Sequence, residues 1–178
     1  SGSSVALSAD GDVVAIGAYL NDGNGGNAGH VRVFSWDGSN WVQRGIDLDG
    51  EGTNDSFGTN LSMSSDGALL AVSSGNQANT GSVSLYAWNG VIWSALGANI
   101  DGVAAGDANG FSLALSGDGN SVAIGAPYHD ENGSNSGHVR VFVKEGSSWV
   151  QKGLNLDGDQ ENFSFGYRVA LSFDGNIL

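Results

Sequence analysis

The sequence has no cysteine, one proline (Pro127) and one methionine (Met63) among its 178 residues. Without cysteine, disulfides and thiolate metal sites are excluded. A secreted protein need not contain a disulfide, so this absence leaves the compartment open. Cations are scarce: six Lys and Arg stand against 19 Asp and Glu, a formal net charge of −13. Phosphate contacts require a basic patch, so a nucleic-acid partner is not expected, and the same charge argues against anionic membrane surfaces. An acidic, lysine-poor surface suits a salty or calcium-containing medium, or simply serves solubility. No apolar run approaches the roughly 20 residues of a membrane span, so membrane insertion is not expected either. The chain opens at Ser1 with neither an initiator Met nor a signal-peptide pattern, as a processed product or a piece of something longer would.

Glycine, in contrast, is abundant, with 30 residues and no triplet period, which predicts many tight turns. Apolar residues make up 40%, enough for one domain with a sizeable core.

Internal repetition organises the chain. Val5-Ala-Leu-Ser-Ala-Asp-Gly11 returns as Leu61-Ser-Met-Ser-Ser-Asp-Gly67, Leu113-Ala-Leu-Ser-Gly-Asp-Gly119 and Val169-Ala-Leu-Ser-Phe-Asp-Gly175, with Asp-Gly spacings of 56, 52 and 56 residues. Gly29-His-Val-Arg-Val-Phe34 matches Gly81-Ser-Val-Ser-Leu-Tyr86 and Gly137-His-Val-Arg-Val-Phe142, and Trp41, Trp93 and Trp149 keep the same step. The repeat units are therefore approximately 1–56, 57–108, 109–164 and a partial 165–178, all in one repeat domain spanning 1–178.

Each unit reads as four short strands. Val5 and Leu7 share one face of the first, and an Asp-Gly hairpin signal follows. In the second, Val14 and Ile16 oppose a small face of Ala15 and Gly17, repeated as Ala71 and Ser73 and as Ala123 and Gly125, which would let a neighbouring sheet approach closely. The third covers His30 to Trp36 and the fourth begins at Trp41. No window carries a helical period. The fold expected is all-β: a β-propeller segment of about three four-stranded blades plus the start of a fourth. A β-trefoil, which also has three repeats of about this size, is the alternative. The fourth beginning at 167–178 argues against it. Three blades are too few for a ring, so further blades, from the same parent chain or another protein chain, are expected as partners.

These landmarks resemble the FG-GAP repeat of integrin-α-type β-propellers. "FG" corresponds to Phe57-Gly58 and Phe165-Gly166, and in the middle unit to Asn109-Gly110. "GAP" corresponds to Gly125-Ala126-Pro127 and weakly to Gly17-Ala18-Tyr19, and has decayed to Ser73-Ser74-Gly75 in the middle unit. The family's calcium loop, D-x-D-x-D-G between FG and GAP, is replaced here by short turns such as Ala9-Asp-Gly-Asp12, so that site is not carried over.

The metal candidates are instead the loops after GAP, Asn21-Asp-Gly-Asn-Gly-Gly-Asn27 and His129-Asp-Glu-Asn-Gly-Ser-Asn135. Oxygen-bearing side chains alternating with glycine suit Ca²⁺. Asp22, Asn24, Asp130 and Asn132 are the candidate ligands, with plain Asx turns as the alternative. The middle loop, Gly75 to Thr80, is short and uncharged. Acidic linkers join the units (Asp49, Glu51 and Asp55; Asp101 and Asp107; Asp157, Asp159 and Glu161) and read as solvated charge or as a surface for cations or a basic partner. His30 and His138 recur at one repeat position, where the middle unit has Ser82, and so serve the fold on this reading; His129 stands apart in its loop. Trp41, Trp93 and Trp149 read as blade packing, with an aromatic shelf for carbohydrate as an alternative. Asn54, Asn60, Asn132 and Asn162 lie in N-glycosylation sequons.

No grouping carries a recognisable nucleophile motif. The expectation is a non-catalytic module, extracellular or at the cell surface, for binding or scaffolding in adhesion or surface assembly. The alternatives are part of a propeller enzyme acting on polysaccharide, or a calcium-dependent lectin-like module.

Overall fold

The computed structural model describes residues 2–75 and 80–178, so most of the middle loop, at 76–79, lies outside the described residues. Local geometry starts at the repeated Ser-x-Asp-Gly turn. The Ser8 hydroxyl donates to Asp10 (2.5 Å) and accepts the Val13 N–H (2.9 Å), while Asp10 accepts the Asp12 N–H (3.0 Å). Ser64 with Asp66, Ser116 with Asp118 and Ser172 with Asp174 repeat the same hydroxyl-to-carboxylate bond. These bonds satisfy the turn's own backbone and reverse the chain between two strands, which explains why the motif recurs at each hairpin.

The first blade contains β1 (Ser4–Leu7), β2 (Val13–Ala18), β3 (His30–Trp36), β4 (Trp41–Gln43) and β5 (Leu48–Asp49). The second contains β6 (Leu61–Met63), β7 (Leu69–Ser74), β8 (Ser82–Trp88), β9 (Trp93–Ala95) and β10 (Ile100–Asp101). The third contains β11 (Ser112–Leu115), β12 (Ser121–Ala126), β13 (His138–Glu145), β14 (Ser148–Gln151) and β15 (Leu156–Asp157). In each, three strands run antiparallel in chain order, and the fourth position is split into two short segments that both pair with the third strand. In the first blade β4 pairs with the Phe34–Trp36 end of β3 and β5 with its His30–Val31 end. Three such sheets stacked in chain order are propeller blades, and the trefoil alternative does not describe them.

Residues 165–178 contain no strand. The Ser172–Asp174 turn forms there and the Phe173 carbonyl accepts the Asp118 N–H (2.9 Å). The flanking segments lack the ladder that makes a strand in the other three units.

The blades pack face to face. A methyl group at Gly17 would sit 2.3 Å from the Gly58 carbonyl oxygen, and one at Gly125 would sit 2.0 Å from that of Gly166. The small face of the second strand is thus the place where the following unit's start crosses it. The first seam buries Val31, Val33, Leu48, Phe57, Met63, Leu70 and Val72, and the second Val83, Leu85, Ile100, Leu115, Val122, Ile124 and Phe142. The turns are stitched as well: Ala9 N–H donates to Ser65 O (2.9 Å) and Ser65 N–H to Gly117 O (2.8 Å).

Candidate functional site

The four side chains expected to hold calcium lie on matching exposed loops. Asp22 Oδ1 accepts the Asn27 N–H and Asp130 Oδ1 the Asn135 N–H, both at 2.7 Å. Asn27 and Asn135 have positive φ, at 53° and 51°, so each carboxylate stabilises a left-handed turn that Asn tolerates better than most residues. Asn24 Nδ2 donates to Gly50 O (2.7 Å) and Asn132 Nδ2 to Gly158 O (3.1 Å), tying each loop to the linker that leaves its blade. Asp22 and Asn24 therefore brace one loop, and Asp130 and Asn132 the other. Of the sequon asparagines, Asn60 is committed to blade packing, its amide donating to Gly110 O and Phe111 O (3.1 and 3.0 Å).

The acidic linkers are gathered by the seams between blades. Even-numbered positions of β8 and β13 face the preceding blade. At the first seam Ser82, Ser84 and Tyr86 meet Asp49, Glu51, Asp55 and Phe57 around a pocket of about 300 Å³, which Asn99 and Asp101 complete. Phe57 stands edge-on to Tyr86, with ring centroids 6.1 Å apart. Burial raises the Tyr86 phenol above its usual range, and the Glu51 and Asp55 charges push in the same direction.

At the second seam the same positions carry His138, Arg140 and Phe142. Arg140 Nη2 donates to Asp101 O (2.6 Å) and Asn109 Oδ1 (2.8 Å), and Asn109 Nδ2 donates to Ile100 O (3.0 Å). Asn109 stands in the repeat where Phe57 does, so the altered FG position receives the guanidinium. Beside it, the His129 and His138 rings lie 4.1 Å apart. His129 Nδ1 is 3.0 Å from Asp107 Oδ2 and its Nε2 is 3.7 Å from Glu131 Oε2. His138 is completely buried, and its Nδ1 is 3.9 Å from Asp157 Oδ1. Burial, then the neighbouring His129 and Arg140, push the His138 pKa down to about 4, so its ring is neutral at neutral pH.

The tryptophans form pairs at the outer edges: Trp36 with Trp41 (5.6 Å) and Trp88 with Trp93 (5.5 Å). Arg44 covers the second pair, 4.8 Å from Trp88, and its carbonyl accepts the Trp93 indole N–H (3.0 Å). The first pair is exposed.

With this geometry in hand, residues 100–142 match the family model described as FG-GAP repeat. The chain carries an FG-GAP repeat. No curated protein matches the sequence. Among solved structures it is similar to Sqt1 of Saccharomyces cerevisiae, at 15% identity and a TM-score of 0.57, covering 85% of this chain and 34% of that one. It is also similar to a putative 6-phosphogluconolactonase from Bacteroides fragilis, at 12% identity and a TM-score of 0.58, covering 87% and 38%. For TolB from Acinetobacter baumannii the figures are 14%, 0.50, 86% and 31%. At such identities the likeness concerns the fold. The chain spans about a third of the length of these structures.

The matched FG-GAP segment runs from Ile100 in β10 to Phe142 in β13 and so includes Asn109-Gly110, Gly125-Ala126-Pro127, His129, His138 and Arg140. Repeat position identified His138 as a recurring residue but not its neighbour. The available signal was a departure from the repeat: His129 stands where the first unit has Asn21. Asp107 is the second member missed, since it was read only as one of many linker acids. The structure buries it against the His129 ring.

Proposed function

We propose that this FG-GAP chain is a non-catalytic binding or scaffold module of a larger propeller, displayed outside the cell. The observation that carries this reading is that the recurring polar side chains of the turns and of the loops after GAP are engaged by the fold itself. The Ser-x-Asp-Gly pairs close the hairpins, and Asp22, Asn24, Asp130 and Asn132 brace the loops. Loops held this firmly on a rigid stack form a pre-organised surface, which lowers the ordering penalty of binding.

Apolar exposure supports membership in a larger stack. Met63 and Leu115 are buried by the preceding blade, whereas their counterpart Leu7 is 56% exposed. Another blade laid on that face would cover Leu7 together with Val5. Asp22 and Asn24 in one loop, and Asp130 and Asn132 in the other, are the proposed calcium ligands, and absence of binding heat at millimolar CaCl₂ would remove calcium from the reading. The exposed Trp36–Trp41 pair is the feature favouring carbohydrate as a ligand.

A polysaccharide panel tests the central claim. Retention of glycan or of a basic protein, with no release of reducing ends, is the expected result. Reducing-end release that scales with chain concentration would overturn the non-catalytic reading. Digestion of the parent protein by protease added outside intact source cells is expected, and full protection would overturn the extracellular assignment.

A further inference from the structure

We propose that His129, His138 and Asp157 form a binding site for a divalent first-row transition ion of the zinc type at the seam of the second and third blades, with Asp107 positioning His129. One ligand atom from each of the three residues lies within 4.8 Å of the others. A tetrahedral ion with bonds of about 2.0–2.1 Å holds its ligands roughly 3.3 Å apart. The His138 Nδ1 to Asp157 Oδ1 separation, 3.9 Å, is already near that value. Two imidazoles and one carboxylate suit zinc-like ions rather than Ca²⁺ or Mg²⁺, which favour all-oxygen shells.

An independent observation points to a ligand there. The His138 side chain is fully buried, and neither ring nitrogen has a hydrogen-bond partner among the described residues. Buried imidazole nitrogens are ordinarily paired, and a bound ion would satisfy one of them. Asp107 supplies the outer support: its Oδ2, 3.0 Å from His129 Nδ1, accepts a hydrogen bond from the Nδ1–H and leaves Nε2 free to ligate the ion. Exposed Glu131, with its Oε2 3.7 Å from that Nε2, would supply a fourth donor by moving toward the ion.

The other blades lack this combination. The matching cluster in the first blade, His30 with Asp47 and Asp49, has a single imidazole, and its Asp47 is already held by Arg32 Nε (2.9 Å) and Gln43 Nε2 (2.6 Å). Asn21 replaces His129 there, and Ser82 replaces His138 in the second blade.

Calorimetric titration of the EDTA-stripped chain with ZnCl₂ at pH 7.5 tests the proposal. The expected result is one ion per chain at micromolar affinity or tighter. His129→Asn, which installs the residue that the first blade tolerates, and Asp107→Asn should each weaken binding at least 10-fold. His30→Asn should leave it unchanged. Melting in EDTA checks that each variant is folded. The Co²⁺ complex of the unmodified chain gives a reading that needs no variant: the intense visible band of a tetrahedral site is expected. No heat up to 1 mM ZnCl₂, unchanged affinity in folded His129→Asn, loss of binding in His30→Asn, or only the weak spectrum of octahedral Co²⁺ would each overturn it.

Discussion

The two seams of this molecule are built from the same repeat positions and solve the same packing problem with opposite chemistry. Both bury a band of Val, Leu and Ile where sheet meets sheet. They differ at the end near the linkers. The first places Phe57 edge-on to Tyr86 and leaves an acid-lined pocket beside Ser82 and Ser84. The second replaces Phe by Asn109, Ser84 by Arg140 and Ser82 by His138, and fills the space with a hydrogen-bonded cation and a pair of imidazoles. The lesson is that an apolar contact and a buried charged contact are interchangeable in a repeat fold only when the partners across the seam change together. Asn109 without Arg140 would leave its amide oxygen unmatched, whereas an arginine beside Phe57 would have the carboxylates of the first seam around it.

The largest expected effect comes from removing the apolar solution. Phe57 is almost fully buried, so Phe57→Ala should destabilise the chain by about 3–5 kcal/mol, read as a shift in urea midpoint at constant m-value. A loss below 1 kcal/mol would mean that the first seam does not depend on its aromatic pair. The second seam should respond differently. Asn109→Ala removes one acceptor from a buried guanidinium and should cost about 1.5–3 kcal/mol. Adding Arg140→Ser, the small hydroxyl residue that the second blade uses at this position, should recover part of that loss. A double variant no better than the sum of the single ones would show that the two residues are not coupled.

Much of this architecture was legible in the sequence, and the reason is periodic chemistry. The Ser-x-Asp-Gly turns, the small faces at Gly17 and Gly125 and the Val-x-Val strands recur because each blade repeats the same local requirement, and a recurring requirement leaves a recurring residue. The split of each fourth strand was not legible, because pairing at opposite ends of β3 is decided by the neighbouring strand rather than by Trp41–Gln43 or Leu48–Asp49. The seam chemistry was hidden for a related reason. Asp107 and His129 lie 22 positions apart and meet only when the second linker is folded against the third blade. His138 was read as structural because it recurs. What distinguishes it from His30 is the neighbour it acquires, and His129 breaks the repeat.

A gain should follow from moving the second seam's solution into the first. Ser84 borders the pocket that holds Asp49, Glu51, Asp55 and Asp101, with no cation lining it. Ser84→Arg places a guanidinium where Arg140 lies in the next blade. The entropy of holding the long side chain and the removal of its charge from water offset most of the attraction. The expected gain is therefore only about 1 kcal/mol, larger at low salt than at high salt. A lowered melting temperature at low salt would show that the pocket cannot take the side chain.

The smallest effect concerns what the two seams share. The Ser-x-Asp-Gly turns lie at the same end of each blade, so their contribution should not distinguish one seam from the other. The Ser8 hydroxyl, with the Asp12 N–H, holds the Asp10 carboxyl below its ordinary pKa, and Ser116 and the Asn120 N–H do the same for Asp118. For Asp174, Ser172 and Asn176 bring it to about 2. A carboxylate depressed on folding binds fewer protons in the native than in the unfolded state, so its stabilisation is complete above the unfolded pKa near 4 and is lost as pH falls through the folded value. Stability should therefore decline between about pH 4 and pH 2. Ser8→Ala and Ser116→Ala should each flatten that decline slightly and to a similar extent, because each removes the leading cause of one depressed carboxyl. The check is a set of urea midpoints at half-unit steps of pH for the three proteins. A flattening confined to Ser116→Ala would show that the hairpin turns contribute unequally, and the two seams would then differ in their hairpins as well as in the groups between them.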